Sequence, residues 1–540
     1  MNNSLIEQLG ANIINSITPP AELILAALRI EPSALKSIKP SWKRTHHRAV
    51  INWLTKYKPQ SNASNLEKVQ GYLEAFHHLC EVEAWEQAAV ILDTTLNTST
   101  NEKLHNQLST WGYYREQIQV YQRILGKLTP IGNTIFLNAL GNSYQFLGNY
   151  HKAIEYHQQH LAISQEFQDR RHEGIALGNL GNAYLFLNEY NKALGYYQDS
   201  LVIALQIQDP SGEAASLANL GHFYHIQRDY PKAIEFLEQS LIIVRKLQEH
   251  RKEAEVLGNL GNVYRAMRDY IKAIEYHQQS LKISREIEYC LGQEQELINL
   301  GMIHRLMQDY TSAIEFQKQS LAMAQEFKNH LTEEKALANL GKIYYSLENY
   351  ETAIDYYQQS LQIAREINNR KGEMGTLFEL GRAYVALKNY AKGIEFYEQM
   401  LPITWEIFEH QGEIVALLAL GDTYSALKNY VKATEIYSQM LSNTRKIKTR
   451  YMEIIALFHL ASVSFKQKDY AKATELYQQS WLIVQKIDKP EWEISVLARL
   501  GYIYARQKNY VKAIECFGRL ILKHIAFSRL SRSRIIHQFL

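Results

Sequence analysis

The chain predicts an all-α solenoid of antiparallel helix pairs, and three observations carry that prediction. First, Tyr150, Tyr190, Tyr230, Tyr270, Tyr310, Tyr350, Tyr390, Tyr430, Tyr470 and Tyr510 recur every 40 residues without an insertion or deletion. A fixed period in this range marks a stacked array, whose units bury their apolar faces only against neighbours. Second, each period contains two apolar patterns of helical spacing with a break between them. Third, a small residue recurs once in each pattern. Gly141, Gly181, Gly221, Gly261, Gly301, Gly341, Gly381, Gly421, Ala461 and Gly501 form the first column, and Ala153 to Ala513, with Gly393, form the second.

Residues 1–62 read as a distinct helical segment, broken at Pro19-Pro20, Pro32 and Pro40 and closed by the linker KPQSNASN at 58–65. The basic stretch from Trp42 to Arg48 reads as a solvated helix face, since no helix-turn-helix pattern accompanies it. Residues 63–130 read as two degenerate units that cap the apolar end of the array: Trp85 to Leu96 and Tyr114 to Leu125 align with Tyr150 to Leu161, but neither has the first-helix glycine. Residues 131–520 hold the ten regular units.

In residues 174–213, Leu177, Leu180, Tyr184 and Leu187 form one helix and Ala193, Tyr196, Leu201, Ile203 and Ile207 the next, with Asp209 to Gly212 expected to close the unit. A mid-helix glycine costs about 1 kcal/mol against alanine, so its repeated use implies close approach of the two helix axes. Asn or Asp before the recurring tyrosine supplies an N-cap for the second helix. Pro402, inside a second helix, is expected to kink or end it near Glu398. Residues 521–540 form a basic tail with Lys523, Arg529, Arg532 and Arg534 among apolar residues.

The motif L-x-x-L-G-x-x-Y followed by Y-x-x-A-I, at residues 137–154, resembles the tetratricopeptide repeat family over about 390 residues. The departure is a unit of 40 residues against the usual 34; six residues are about 9 Å of helix, expected in the second helix and its turn. Arrays of this length are similar to those of kinesin light chains, spindle-orientation adaptors and bacterial signalling proteins. The resemblance implies a right-handed superhelix whose first helices line a concave groove that binds protein segments.

Composition narrows the function. A net charge of +3 implies no general affinity for nucleic acid. Cys80, Cys290 and Cys516 are odd in number and scattered, which fits a reducing, cytoplasmic setting. The N-terminus lacks a basic start followed by an apolar run, and no apolar stretch of about 18 residues suggests a membrane span. Phosphate-loop, serine-elbow and zinc-helix motifs are absent. His222 and His225 lie one turn apart and could share a metal, but no metal, other cofactor or enzymatic activity is expected.

Carried onto this sequence, the groove slot before the glycine holds Asn179, Asn219, Asn259, Asn299 and Asn339, and the slot after it Asn142, Asn182 and Asn262. Asparagine offers two donors and an acceptor, so a ladder of amides suits the backbone of an extended peptide. Arg265, Arg305, Lys335, Lys342 and Arg382 make the middle of this surface basic, which points to an acidic or carboxylate-bearing partner. The expectation is a protein-interaction scaffold; the alternative is a regulatory sensor that transmits partner binding to the N-terminal helices or to a separate signalling ATPase. The repeats also permit self-association through an uncapped end.

Overall fold

The computed structural model describes residues 17–60, 62–98, 101–111, 113–287, 289–327, 329–407, 410–487 and 490–522. The chain divides into two compact units, Met1–Gly372 and Glu373–Leu540, each considered by itself. Among the described residues the first opens with α1 (Ala21–Ala27), a 3-10 turn (Pro32–Ser37), α2 (Ser41–Lys56), α3 (Asn65–Glu81), α4 (Trp85–Leu92), α5 (Leu104–Thr110) and α6 (Tyr114–Ile124). Six regular hairpins follow: α7 (Pro130–Phe146) with α8 (Tyr150–Glu166), α9 (Arg170–Phe186) with α10 (Tyr190–Gln206), α11 (Pro210–Ile226) with α12 (Tyr230–Lys246), α13 (His250–Ala266) with α14 (Tyr270–Glu286), α15 (Cys290–Leu306) with α16 (Tyr310–Glu326), and α17 (His330–Ser346) with α18 (Tyr350–Glu366).

The division falls in the first turn of α19 (Arg370–Ala386), which pairs with α20 (Tyr390–Glu406). The second unit continues through α21 (His410–Ala426), α22 (Tyr430–Lys446), α23 (Arg450–Lys466), α24 (Tyr470–Val484) and α25 (Pro490–Arg506) to a last described helix at 510–522. Its core gathers Leu417, Tyr437, Leu457, Tyr477 and Leu500.

The period of 40 is two half-periods of 20, each a 17-residue helix and a three-residue turn, except that α24 ends two residues early. Because both helices are equal in length, the surplus over the family's usual unit is not lodged in the second helix, as the sequence suggested. Among the described residues the turns use one left-handed residue each, as at Gln168, Asn188, Gln208 and Arg228, with φ of 53–60° in these four. The amide after it bonds back to the last helical turn, as Glu189 N–H does to the Tyr184 carbonyl at 2.9 Å. Side chains other than glycine pay about 1 kcal/mol there; Gly148 avoids it.

Capping follows the sequence. Asn149, Asp229, Asp269, Asn349, Asn389, Asn429 and Asp469 each accept from the backbone N–H three residues on. Asp209 precedes a helix that begins at Pro210, so Asp209 to Gly212 open the next unit rather than close their own; proline at a first helical position loses no bond. The helix carrying Pro402 runs unbroken from Tyr390 to Glu406. The early end expected near Glu398 is not there: Pro402 and Glu398 are both on the exposed face, where a freed carbonyl is open to solvent.

The glycine column is a packing device. A Cβ on Gly181 would stand 2.5 Å from Cε1 of Tyr197, and one on Gly221 2.6 Å from Cγ of Leu237. Leu140, Leu180, Leu260, Leu300 and Leu340 beside them are fully buried, as are Ala153, Ala193, Ala233 and Ala273 opposite. Tyrosines also stack across several hairpins. Tyr144, Tyr184, Tyr224 and Tyr264 stack on Tyr156, Tyr196, Phe236 and Tyr276 at 5.3–5.5 Å. Lys152, Lys192, Lys232 and Lys272 lie over the first rings at 4.8–5.0 Å.

Candidate peptide-binding groove

The asparagine column lies along the first helices, and neighbouring members share small concavities. Asn179 and Asn219 line one of about 140 Å³ between α9 and α11. Asn219 and Asn259, with His222 and Glu255, line the next, of about 250 Å³ between α11 and α13. Asn179, Asn219 and Asn259 are half-buried, whereas Asn299 and Asn339 are buried. The amides are partly engaged within the array: Asn179 Nδ2 donates to Asn138 Oδ1 at 2.6 Å, and Asn299 Oδ1 accepts from Gln295 at 3.3 Å.

The column after the glycine reaches toward the second helix. Asn182 Oδ1 accepts from the buried Tyr197 hydroxyl at 2.7 Å, and Asp422 does the same for Tyr437 at 2.5 Å. Asn142 stands at the equivalent place opposite His157, and Asn262 Oδ1 accepts from Arg265 at 3.3 Å.

The basic residues fall on consecutive first helices: Arg265 on α13, Arg305 one period later on α15, and Lys335 and Lys342 on α17. Among the described residues none of the four forms an ion pair with a carboxylate. Burial holds the Arg265 guanidinium below its usual range, with Tyr270 opposing, and Arg265 Nε is buried without a partner. Burial likewise depresses Lys335, against the pull of Glu334 and Glu294. Arg382 differs: in the second unit it pairs with Glu379 at 2.8 Å and lies over the Phe378 ring. His222 and His225 face one another at 6.3 Å, both held below the usual histidine range by burial, His225 at about 4. Among the described residues no three His, Cys, Asp or Glu side chains gather to hold a metal ion, and no helix is long and apolar enough to cross a membrane.

Sequence reasoning missed a set of buried carboxyls beneath these cations. Glu294 and Glu334 occupy the slot of Ala214 and Ala254, and are 1% and 3% exposed. Glu294 Oε2 accepts from Asn329 Nδ2 at 2.6 Å; Glu334 accepts from Ser360 and Asn369, both at 3.2 Å. A third, Glu296, meets His277 Nδ1 at 2.5 Å. Reading down the column, where small or apolar residues otherwise stand, would have flagged the first two.

Burial pushes the Glu294 carboxyl up to about 7, with its bonds to Thr332 and Asn329 and the Lys335 charge opposing. Its folded value lies above its unfolded one, so its contribution to stability is full below about pH 4.5 and is lost as pH rises through 7. Glu294→Gln is therefore expected to raise the melting temperature at pH 8, by the equivalent of about 3 kcal/mol at most, and to change it little at pH 4.5. Equal shifts at both pH values would overturn this assignment.

Comparison with known proteins agrees with the repeat geometry. The family model described as tetratricopeptide repeat matches residues 133–206, 213–286, 295–366 and 452–521, and a second model of the same description matches 375–401. No curated protein sequence matches. Among solved structures, the chain is similar to a signal-transduction ATPase with a tetratricopeptide repeat sensor from Pyrococcus horikoshii, at 16% identity over 87% of this chain and 74% of that one, with a TM-score of 0.45. It is also similar to a Rap protein complexed with Competence and Sporulation Factor, at 16% identity, 64% and 99% coverage and a TM-score of 0.45. The quorum sensor NprR from B. thuringiensis gives 15% identity, 64% and 99% coverage and 0.45. With the family model matched over more than half of its length, the chain belongs to the tetratricopeptide repeat family.

Proposed function

We propose that this protein is an interaction scaffold that holds an extended, acidic or carboxylate-bearing segment of a partner along its first helices. The observation that carries the reading is the pair of concavities joined at Asn219, followed along the first helices by four cations that form no ion pair among the described residues. Asn179, Asn219 and Asn259 present amides suited to peptide backbone. Arg265, Arg305, Lys335 and Lys342 follow on α13, α15 and α17. A guanidinium buried without an acid costs stability, and a partner carboxylate would offset that cost through charge-assisted bonds.

The test separates binding from folding. Arg265→Met is expected to weaken binding of acidic peptides about tenfold, the loss of about 1.4 kcal/mol, while leaving the melting temperature unchanged or higher. Fluorescence anisotropy against a peptide array, with free and amidated C-termini, reads the first; a thermal melt reads the second. Equal binding by wild type and variant, or neutral peptides binding as well as acidic ones, would remove the basic set from recognition. Asn219→Ala with Asn259→Ala tests the ladder in the same assay.

A further inference from the structure

The N-terminal helices return to touch the array far along the chain. Asn65 Nδ2, at the start of α3, donates to the Phe327 carbonyl at 2.7 Å, across 262 positions of sequence. Glu102 approaches Arg251 at 3.6 Å, and the Tyr113 ring meets His330 edge-on at 6.3 Å. Between the two sides lies a cavity of about 390 Å³, with Asn65, Lys68 and Trp111 on one wall and Leu291, Glu294 and Phe327 on the other.

This seam differs in kind from the contacts between repeats. Those rest on buried apolar side chains, as around Leu257, Leu260 and Val263, with polar bonds beside them. The seam joins through isolated polar and aromatic contacts around a cavity. Single hydrogen bonds and half-exposed ion pairs contribute little each, so the contacts across the seam hold it weakly.

It also lands on the helices that carry the unpaired cations. Arg251 opens α13, which bears Arg265; Glu294 lies on α15, which bears Arg305; His330 opens α17, which bears Lys335 and Lys342. Arg251 is already shared, lying 4.6 Å from the Tyr289 ring centre and 3.4 Å from Glu255 as well as against Glu102. An acidic segment entering along α13 meets a cation that a carboxylate of the N-terminal region already holds.

We infer that the N-terminal region is an autoinhibitory latch, closed across α13, α15 and α17 in the free protein and released when an acidic partner segment competes with Glu102. This rests on the acidic-segment reading above. Linkage requires that whatever weakens the seam strengthens binding by the same factor.

Two variants open the seam from opposite sides: Glu102→Lys and His330→Ala. Each, shown folded by circular dichroism, is titrated with fluorescein-labelled octaglutamate. The rate of maleimide labelling at Cys290, which also lines the cavity, is followed by peptide mass spectrometry. Both variants are expected to bind octaglutamate at least fivefold more tightly than wild type and to label faster at Cys290. Octaglutamate is expected to accelerate labelling of the wild type. Equal, measurable affinity in all three proteins overturns the latch and leaves the groove reading standing. No binding by any of them overturns the acidic-segment reading and takes release by acid with it. Tighter binding with Cys290 labelling unchanged also overturns the latch, since the seam has then not opened.

Discussion

Replacing His157 with tyrosine is expected to shift acid unfolding to lower pH and to add about 2 kcal/mol of stability at pH 5. His157 and His160 are both fully buried on α8, and neither has a hydrogen-bond partner on either ring nitrogen among the described residues. Burial holds His157 at about 3, with His160 adding to the depression, and His160 at about 4, with His172 adding and Asp169 opposing. These folded values lie below the unfolded one of about 6.5. Their contribution is therefore intact above pH 6.5 and is lost as pH falls toward 4 and 3. At pH 5 the unfolded chain binds a proton at each and the folded chain does not, a penalty of about 2 kcal/mol per histidine.

The repeat itself names the remedy. Tyr197, Tyr357, Tyr397, Tyr437 and Tyr477 fill the same slot, and the Tyr197 hydroxyl finds Asn182. Asn142 is already in place to receive a tyrosine at 157. Ser200, Ser240 and Ser280 fill the slot of His160 and donate to a carbonyl of the preceding helix at 2.7–2.8 Å, so His160→Ser should act in the same direction. Circular dichroism against pH decides: an acid midpoint unmoved by His157→Tyr would mean that this site does not limit acid stability.

Gly181→Val is expected to cost about 3 kcal/mol, visible as a lower melting temperature and as faster amide exchange in α9 and α10. The Tyr197 ring cannot withdraw from the added atoms. It is fully buried, its hydroxyl is fixed on Asn182, and Phe223 packs against it edge-on at 6.3 Å. The array supplies its own control in Ala461, which sits in the glycine column opposite the buried Tyr477. That hairpin has settled around a methyl group, so Ala461→Gly should cost about 1 kcal/mol through helix propensity rather than restore a preferred residue. A Gly181→Val protein as stable as wild type would show that the column is ancestry and not packing.

What could be read in the sequence was what repeats. The period, the two helices per unit, the small columns and the caps each depend on residues within one turn or one unit of each other. Ten copies make such local chemistry unambiguous. The asparagine and cation columns were legible for the same reason, as positions on a helix face. Their engagement was not: Asn179 bonds to Asn138 of the previous repeat, Asn182 to Tyr197 across the hairpin, and Arg382 to Glu379, each settled by side-chain geometry.

Two local expectations failed for local reasons. Proline in the first position of α11 opens a helix, and Pro402 on a wet face does not end one. The tertiary structure alone decided the rest. Nothing in the sequence relates Asn65 to Phe327 or Glu102 to Arg251, because that meeting depends on small rotations accumulated over several hairpins. Nor does it tell which glutamates lose water, since burial at Glu294 and Glu334 is imposed by the neighbouring repeat. By itself the sequence determined an all-α array of tetratricopeptide repeats and the side chains its first helices carry. Only the packing of distant turns decided where the N-terminal helices meet that array and which of its charged side chains lose water.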